Sequence, residues 1–168
     1  DARTRALLTI TANPDAFNFG AQPIGSSTVH EWTLTNTGEM DATAITGDVF
    51  ALAPEYVFSG GSFPGGGTCV NGGTLANGAT CTFRVAFVPA GLAGARNDTV
   101  DINYNDGVAL TDVTQAITGS AQDPANLVVI SGEPDPFDFN TVAVGATSTH
   151  SSFVIQNTGG VDATGVSV

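Results

Sequence analysis

One stretch occurs twice in this chain. Residues 17–38 read FNFGAQPIGSSTVHEWTLTNTG, and residues 137–159 read FDFNTVAVGATSTHSSFVIQNTG. Phe17, Gly25 and His30 recur 120 positions later at Phe137, Gly145 and His150, and Asn36 recurs 121 positions later at Asn157. The second copy therefore carries one extra residue between His150 and Asn157, which a β-bulge near Ser151 and Ser152 would absorb. Upstream, Leu7-Leu8-Thr9-Ile10 matches Leu127-Val128-Val129-Ile130, and downstream Asp41-Ala42-Thr43 matches Asp162-Ala163-Thr164. A period of this length is a whole domain, too long for one turn of a solenoid. The expected organisation is a complete unit over residues 1–121, then a linker and the first strands of a second unit over 122–168. The second copy holds about a third of its period, too little to bury a core by itself.

Local patterning makes each unit all-β. Leu7 to Ala12 is a strand that ends at the turn residues Asn13-Pro14-Asp15. Phe17 and Phe19 alternate around Asn18 until Gly20 breaks the run. In Thr28 to Asn36, Trp32 and Leu34 share one face while Glu31, Thr33 and Thr35 share the other, so Trp32 is expected in the core. Phe153 and Ile155 take those two places in the second copy. Ala42 to Leu52 supplies a further strand, with Ile45, Val49, Phe50 and Leu52 as core candidates and a bend at Gly47. Pro54 to Asn77 reads as a long irregular glycine-rich segment. Thr80 to Val88 alternates cleanly, placing Cys81, Phe83, Val85 and Phe87 inward. Val100, Ile102 and Tyr104 continue the pattern, Asn105-Asp106-Gly107 marks a hairpin turn, and Val113 and Ile117 anchor the last strand. No window shows helical periodicity with caps at both ends. Seven or so short strands separated by turn signals describe a β-sandwich.

Charge narrows the partners. The chain has a net charge of −12, from sixteen Asp and Glu against four Arg and no Lys. Phosphate backbones and anionic membranes need clustered cations, so nucleic acid and lipid surfaces are excluded as partners. No stretch approaches the roughly 18 apolar residues of a membrane helix. Asp1 begins among polar residues without a signal-peptide pattern, so a mature or excised piece of a longer chain is expected. The two cysteines, Cys69 and Cys81, lie 12 residues apart with no further thiols or paired histidines nearby to make a zinc site. An extracellular disulfide and a pair of reduced thiols are both compatible with that spacing.

The succession FNFG, Pro-Ile-Gly, TLTNTG, a glycine-rich segment ending in TC, TLANGATCTFRVAFVPAG and ITGSA resembles the choice-of-anchor D repeat of bacterial surface proteins, which belongs with the Hydin-type immunoglobulin-like domains. The resemblance covers residues 6–121, and its first third recurs in 125–168. It implies a seven-stranded immunoglobulin-like sandwich, repeated in tandem in an extracellular, multidomain, surface-located protein. It also implies that the pair matched by Cys69 and Cys81 is bridged, and it brings no common catalytic residues. Asn140 departs from the pattern, standing where the first copy has Gly20.

Motifs that carry chemistry are sparse in this chain. Ser, His and Asp are present without a nucleophile elbow, and duplication accounts for His30 and His150. The glycines at 65–67 lack the Lys-Ser/Thr and the helix of a phosphate loop. Asp101 to Asp106 with Asp112, and Glu133, Asp135 and Asp138 near Asp123, supply some of the six to eight oxygens that calcium requires. Turn chemistry and a solvated face account for the same residues. Asn97-Asp98-Thr99 is a glycosylation sequon. The expected function is therefore structural, adhesive or assembly-related, non-catalytic and without a cofactor. Protein neighbours are the expected partners, including copies of this chain through strand addition. The alternative is a carbohydrate- or protein-binding sandwich, which needs exposed aromatics in a groove.

Overall fold

The computed structural model describes residues 3–11, 16–131, 134–149 and 152–167. Two compact units result, Asp1–Gln122 and Asp123–Val168. The strands of the first are β1 (Leu8–Thr11), β2 (Phe17–Pro23), β3 (Thr28–Asn36), β4 (Ala42–Gly47), β5 (Tyr56–Phe58), β6 (Gly73–Leu75), β7 (Thr80–Phe87), β8 (Gly94–Asn105) and β9 (Leu110–Gln122). They form a four-stranded sheet in the order β1-β3-β7-β5 and a five-stranded sheet in the order β2-β9-β8-β4-β6. Nine described strands thus stand where sequence patterning counts about seven. The additional ones, β5 and β6, are three-residue pieces inside the stretch that reads as irregular, too short to show alternation.

Alternation sets the core. Trp32 and Leu34 of β3, Phe83, Val85 and Phe87 of β7, Val100 and Ile102 of β8, and Ile117 of β9 are all buried in one cluster. Outward positions pair across the sheet instead, as in the Glu31–Arg84 ion pair at 2.6 Å. The chain starts in one sheet at β1 and crosses to the other at β2, which runs parallel to β9. A register shift between Asn18 and Ala21 marks that crossing. There Gly20 takes a positive φ of 76°, which glycine adopts at no steric cost, and Phe19 turns into the core.

One expectation is corrected by the packing. The strand read as Ala42 to Leu52 ends at Gly47. Beyond it the Asp48 amide donates to the Asp101 carbonyl and the chain turns, leaving Val49 87 % exposed while Phe50 is buried. The glycine-rich segment is tethered along its length. Ser59 donates to the Arg84 carbonyl, Arg84 to that of Pro64, and Cys69 to that of Thr82, so the segment lies along β7. A Cβ at Gly65 or Gly67 would come within 2.1 Å of the Arg84 or Thr82 carbonyl oxygen. Glycine is needed there because backbone packs directly on backbone.

The second unit contains β10 (Leu127–Val129) and β11 (Ile155–Asn157), paired antiparallel. Leu127 lies opposite Asn157, as Leu8 lies opposite Asn36 in the first unit. Leu127 thus corresponds to Leu8, one residue away from the match to Leu7 that the sequence suggests. A run of apolar residues fits either frame; a side-chain amide decides it. Asn36 Oδ1 accepts from the amides of Leu7 and Gly38, and Asn157 Oδ1 accepts from those of Asn126 and Gly159. Asn36 Nδ2 donates to the Met40 carbonyl, and Asn157 Nδ2 to that of Val161. The glycine of each corner lies against the incoming chain, where a Cβ would come 2.1 Å from Arg5 O or 2.0 Å from Pro124 O. Asn140 takes a φ of 60°, so the turn made by Gly20 is kept despite the side chain; Asp138 accepts from its amide as Asn18 accepts from that of Gly20. His150 and Ser151, with the bulge expected beside them, lie outside the described residues.

Candidate interaction surface

Cys69 and Cys81 are joined in a disulfide with their Cα atoms 4.8 Å apart. Both sulfurs belong to the buried cluster. The bond ties the glycine-rich segment to the start of β7, beside a reciprocal pair in which the Thr68 amide donates to Thr82 Oγ1 and the Thr82 amide to Thr68 Oγ1. The arrangement is a structural tie with no exposed thiol.

The aromatics of the first unit are spent on the core. Trp32 stacks on Phe83 at 5.6 Å and meets Phe17 edge-on at 5.2 Å. Its Nε1 is buried and has no hydrogen-bond partner among the described residues. Tyr56 stacks on Phe87 at 4.7 Å and donates its hydroxyl to the Arg96 carbonyl. Burial, then the nearby Asp98 and Glu55 carboxylates, pushes the Tyr56 hydroxyl up to about 12. His30 stacks on Phe17 at 3.8 Å, and burial lowers its pKa against the opposing pull of Glu31. That places His30 in an aromatic wall rather than beside a nucleophile.

The acidic residues singled out by sequence separate into different roles. The Asp106 carboxylate is consumed by the β8–β9 turn, accepting from the amides of Val108 and Ala109 at 2.8 Å and pairing with Arg5 at 3.2 Å. Those backbone amides, helped by Arg5, hold it below the usual carboxylate value. Asp101 goes the other way: burial, then Asp112 and Asp48, raise its pKa. Among the described residues no three His, Cys, Asp or Glu side chains are placed to hold a metal ion. Glu133, named with Asp135 and Asp138, lies outside the described residues. Sequence reading missed Arg96. It pairs with Glu55 and donates to the carbonyls of Ala90 and Leu92, holding that loop.

Concave surface is modest. A cavity of about 220 Å³ beside Phe50, Phe58 and Phe63 falls below the roughly 300–1,000 Å³ of ordinary ligand pockets. In the second unit an open depression of about 440 Å³ is lined by Val128, Val129, Pro134, Asp135, Phe137 and Phe153. The contrast between equivalent positions is the sharper observation. Leu8, Trp32 and Leu34 are 2 %, 1 % and 0 % exposed; their counterparts Leu127, Phe153 and Ile155 are 45 %, 46 % and 58 % exposed. Val129 and Phe139 lie open on the same pattern. These five residues are the exposed counterparts of positions that the first unit buries or packs against its core.

Two sheets of alternating inward side chains, one strand crossing between them and no helix among the described residues define an immunoglobulin-like β-sandwich. The chain belongs to the HYDIN/CFA65/VesB-like Ig-like domain family, whose model matches residues 9–120. Among solved structures it is similar to the VesB protease of Vibrio cholerae, at 18 % identity and TM-score 0.49, covering 67 % of this chain and 31 % of that one. It is also similar to the ASH/PapD-like domain 7 of human CEP192, at 18 % identity and TM-score 0.49, covering 70 % and 86 % of the two chains. A family 123 glycoside hydrolase from Clostridium perfringens matches at 9 % identity and TM-score 0.50, covering 72 % of this chain and 28 % of that one. The chain thus spans less than a third of the protease and of the hydrolase, and the likeness is one of fold. Comparison with curated proteins gives no match.

Proposed function

We propose that this chain is a non-catalytic structural or assembly module of an extracellular, multidomain or fibre-forming surface protein. It is built from tandem immunoglobulin-like units: residues 1–121 form a complete one, and 122–168 form a linker and the first strands of a second, incomplete one. The observation that carries the reading is the recurrence of one corner, Asn36-Thr37-Gly38, at Asn157-Thr158-Gly159, where each Asn Oδ1 accepts from the equivalent two backbone amides. A scaffold whose complete unit packs its aromatics inward has its chemistry in folding and in contact with protein neighbours. The Cys69–Cys81 bond suits an oxidising compartment. The module works without a metal or cofactor, and calorimetric titration with calcium is expected to give no saturable heat.

Protease shaving of intact cells that make the protein tests this reading. Peptides from residues 3–122 should be released with Cys69 and Cys81 still joined. Recovery only from the reducing cell interior, with both thiols open to alkylation, overturns it. So does saturable binding on a glycan array, which belongs to the ligand-binding alternative.

A further inference from the structure

The two sheets of the first unit part along one edge, and a cavity opens there. Strand pairing accounts for the gap. β6 covers the edge of β4 only between Ala42 and Ile45. Past Gly47 the chain turns out of the sheet and leaves Asp48 and Val49 exposed. On the other sheet, β5 is the edge strand and pairs with β7 alone. The cavity of about 220 Å³ at this edge is lined by Phe50, Tyr56, Phe58 and Phe63, and by the exposed Asp48 and Ser62.

Its walls are aromatic rings set at steep angles. Phe58 meets Phe63 edge-on, with centroids 5.4 Å apart and planes at 82°. Phe50 lies 5.1 Å from Phe58 with the planes at 54°. Glycine at position 47 lets the Phe58 ring lie on backbone, since a Cβ there would collide with it. All three phenylalanines belong to the buried cluster, so core packing holds the walls in place.

The charge beside this cavity is uncompensated. The ion pairs among the described residues use Asp106, Glu31 and Glu55, and none reaches Asp48, Asp101 or Asp112. Asp48 lies next to Asp101, its amide donating to the Asp101 carbonyl at 3.0 Å. Burial, then the charges of Asp112 and Asp48, raises the Asp101 pKa, which reports a negative potential on this side of the unit. Ring faces attract a cation, and more strongly once it has left water. A carboxylate at the mouth adds direct attraction and repels an anion. A neutral apolar group gains burial alone. An apolar cavity of about 150 Å³ admits benzene, so a group of that bulk fits here, whereas a drug-sized ligand does not.

We propose that this cavity binds a methylated ammonium group, its methyls against Phe50, Phe58 and Phe63 and its charge facing Asp48. A free quaternary amine and a phosphocholine head group share that chemistry. The site belongs to the first unit alone and goes beyond the reading of the chain as an assembly module.

The test titrates the full 168-residue chain with choline, with phosphocholine and with neohexanol, the uncharged carbon isostere of choline, followed by NMR. Choline should bind saturably and shift the amides of Asp48, Gly61 and Ser62. Its N-methyl protons should move upfield in the ring currents of the walls. Neohexanol should bind at least tenfold more weakly. Phosphocholine binding as tightly as choline supports a head group as the source, and weaker binding supports a free amine. Asp48→Asn should weaken choline at least fivefold, while Asp162→Asn, in the second unit, leaves it unchanged. Ser62→Trp places an indole in the mouth and should abolish binding. Positions 48 and 62 are exposed, so both variants keep the unfolding midpoint of the first unit. Absence of saturable choline binding overturns the proposal. So does equal binding of neohexanol, or an affinity indifferent to both Asp48→Asn and Ser62→Trp. The shaving experiment is independent: surface location can hold while ammonium binding fails.

Discussion

Trp32 is the only tryptophan of the chain, and it is 1 % exposed at the centre of the first sandwich. Truncation to alanine removes the stack on Phe83 and the edge contacts with Phe17 and Phe19. A buried aromatic replaced by alanine costs about 3–5 kcal/mol. With a urea m-value of roughly 2 kcal/mol/M, that lowers the midpoint by about 1.5–2.5 M. Trp32→Phe behaves differently. The smaller ring gives up on the order of 1–2 kcal/mol of packing. It also deletes the buried Nε1–H, which lacks a partner among the described residues, and an orphaned donor of that kind costs about 1–3 kcal/mol. The two effects nearly cancel, so Trp32→Phe should shift the midpoint by less than about 0.5 M. The second copy already carries Phe153 at the equivalent place. Circular dichroism is the assay, because both variants remove the fluorophore. A midpoint unmoved by Trp32→Ala, or moved equally by both variants, refutes the packing argument.

The other predictions follow from single features of the same unit. Reduction of Cys69–Cys81, which closes a loop of 12 residues, should lower stability by about 3 kcal/mol, read from urea midpoints with and without reductant. Asn36→Ala strands the amides of Leu7 and Gly38 and the carbonyls of Met40 and Leu75, and should cost about 2–4 kcal/mol. Asn157→Ala, at an exposed corner, should leave that midpoint unchanged. Asp101 has a raised pKa from burial first and then from Asp112 and Asp48, so the folded state holds its proton more tightly than the unfolded chain does. Stability therefore falls as pH rises from the ordinary value through the raised one, and the loss is complete above it. Asp101→Asn should raise Tm at neutral pH and leave it unchanged near pH 3, which scanning calorimetry checks.

What the sequence settles by itself is the alternation and the duplication. Trp32, Leu34, Phe83, Val85, Val100, Ile102 and Ile117 are core residues because period-two patterning survives in strands long enough to display it. The recurrence of FNFG-like and NTG segments marks the two units for the same reason, since a repeat is visible without knowing its shape. Local pattern goes no further. It misses β5 and β6, because three residues carry too little alternation to separate them from turn. It extends β4 to Leu52, because Val49 and Phe50 are both apolar and only the turn at Asp48 sends one outward and the other in. It matches Leu127 to Leu7, one residue away from the register that the pairing and the hydrogen bonds of Asn157 fix. Only the tertiary structure shows that Gly65 and Gly67 are required by backbone lying on backbone, and that Asp106 is spent on a turn while Asp101 is partly buried, with the charges of Asp112 and Asp48 felt there. The same is true of the contrast between Leu34 and Ile155, which have equivalent places and similar side chains while one is buried and the other exposed. What separates them is the presence or absence of a strand on the far side of the ladder, a contact between residues distant in sequence that no local pattern records.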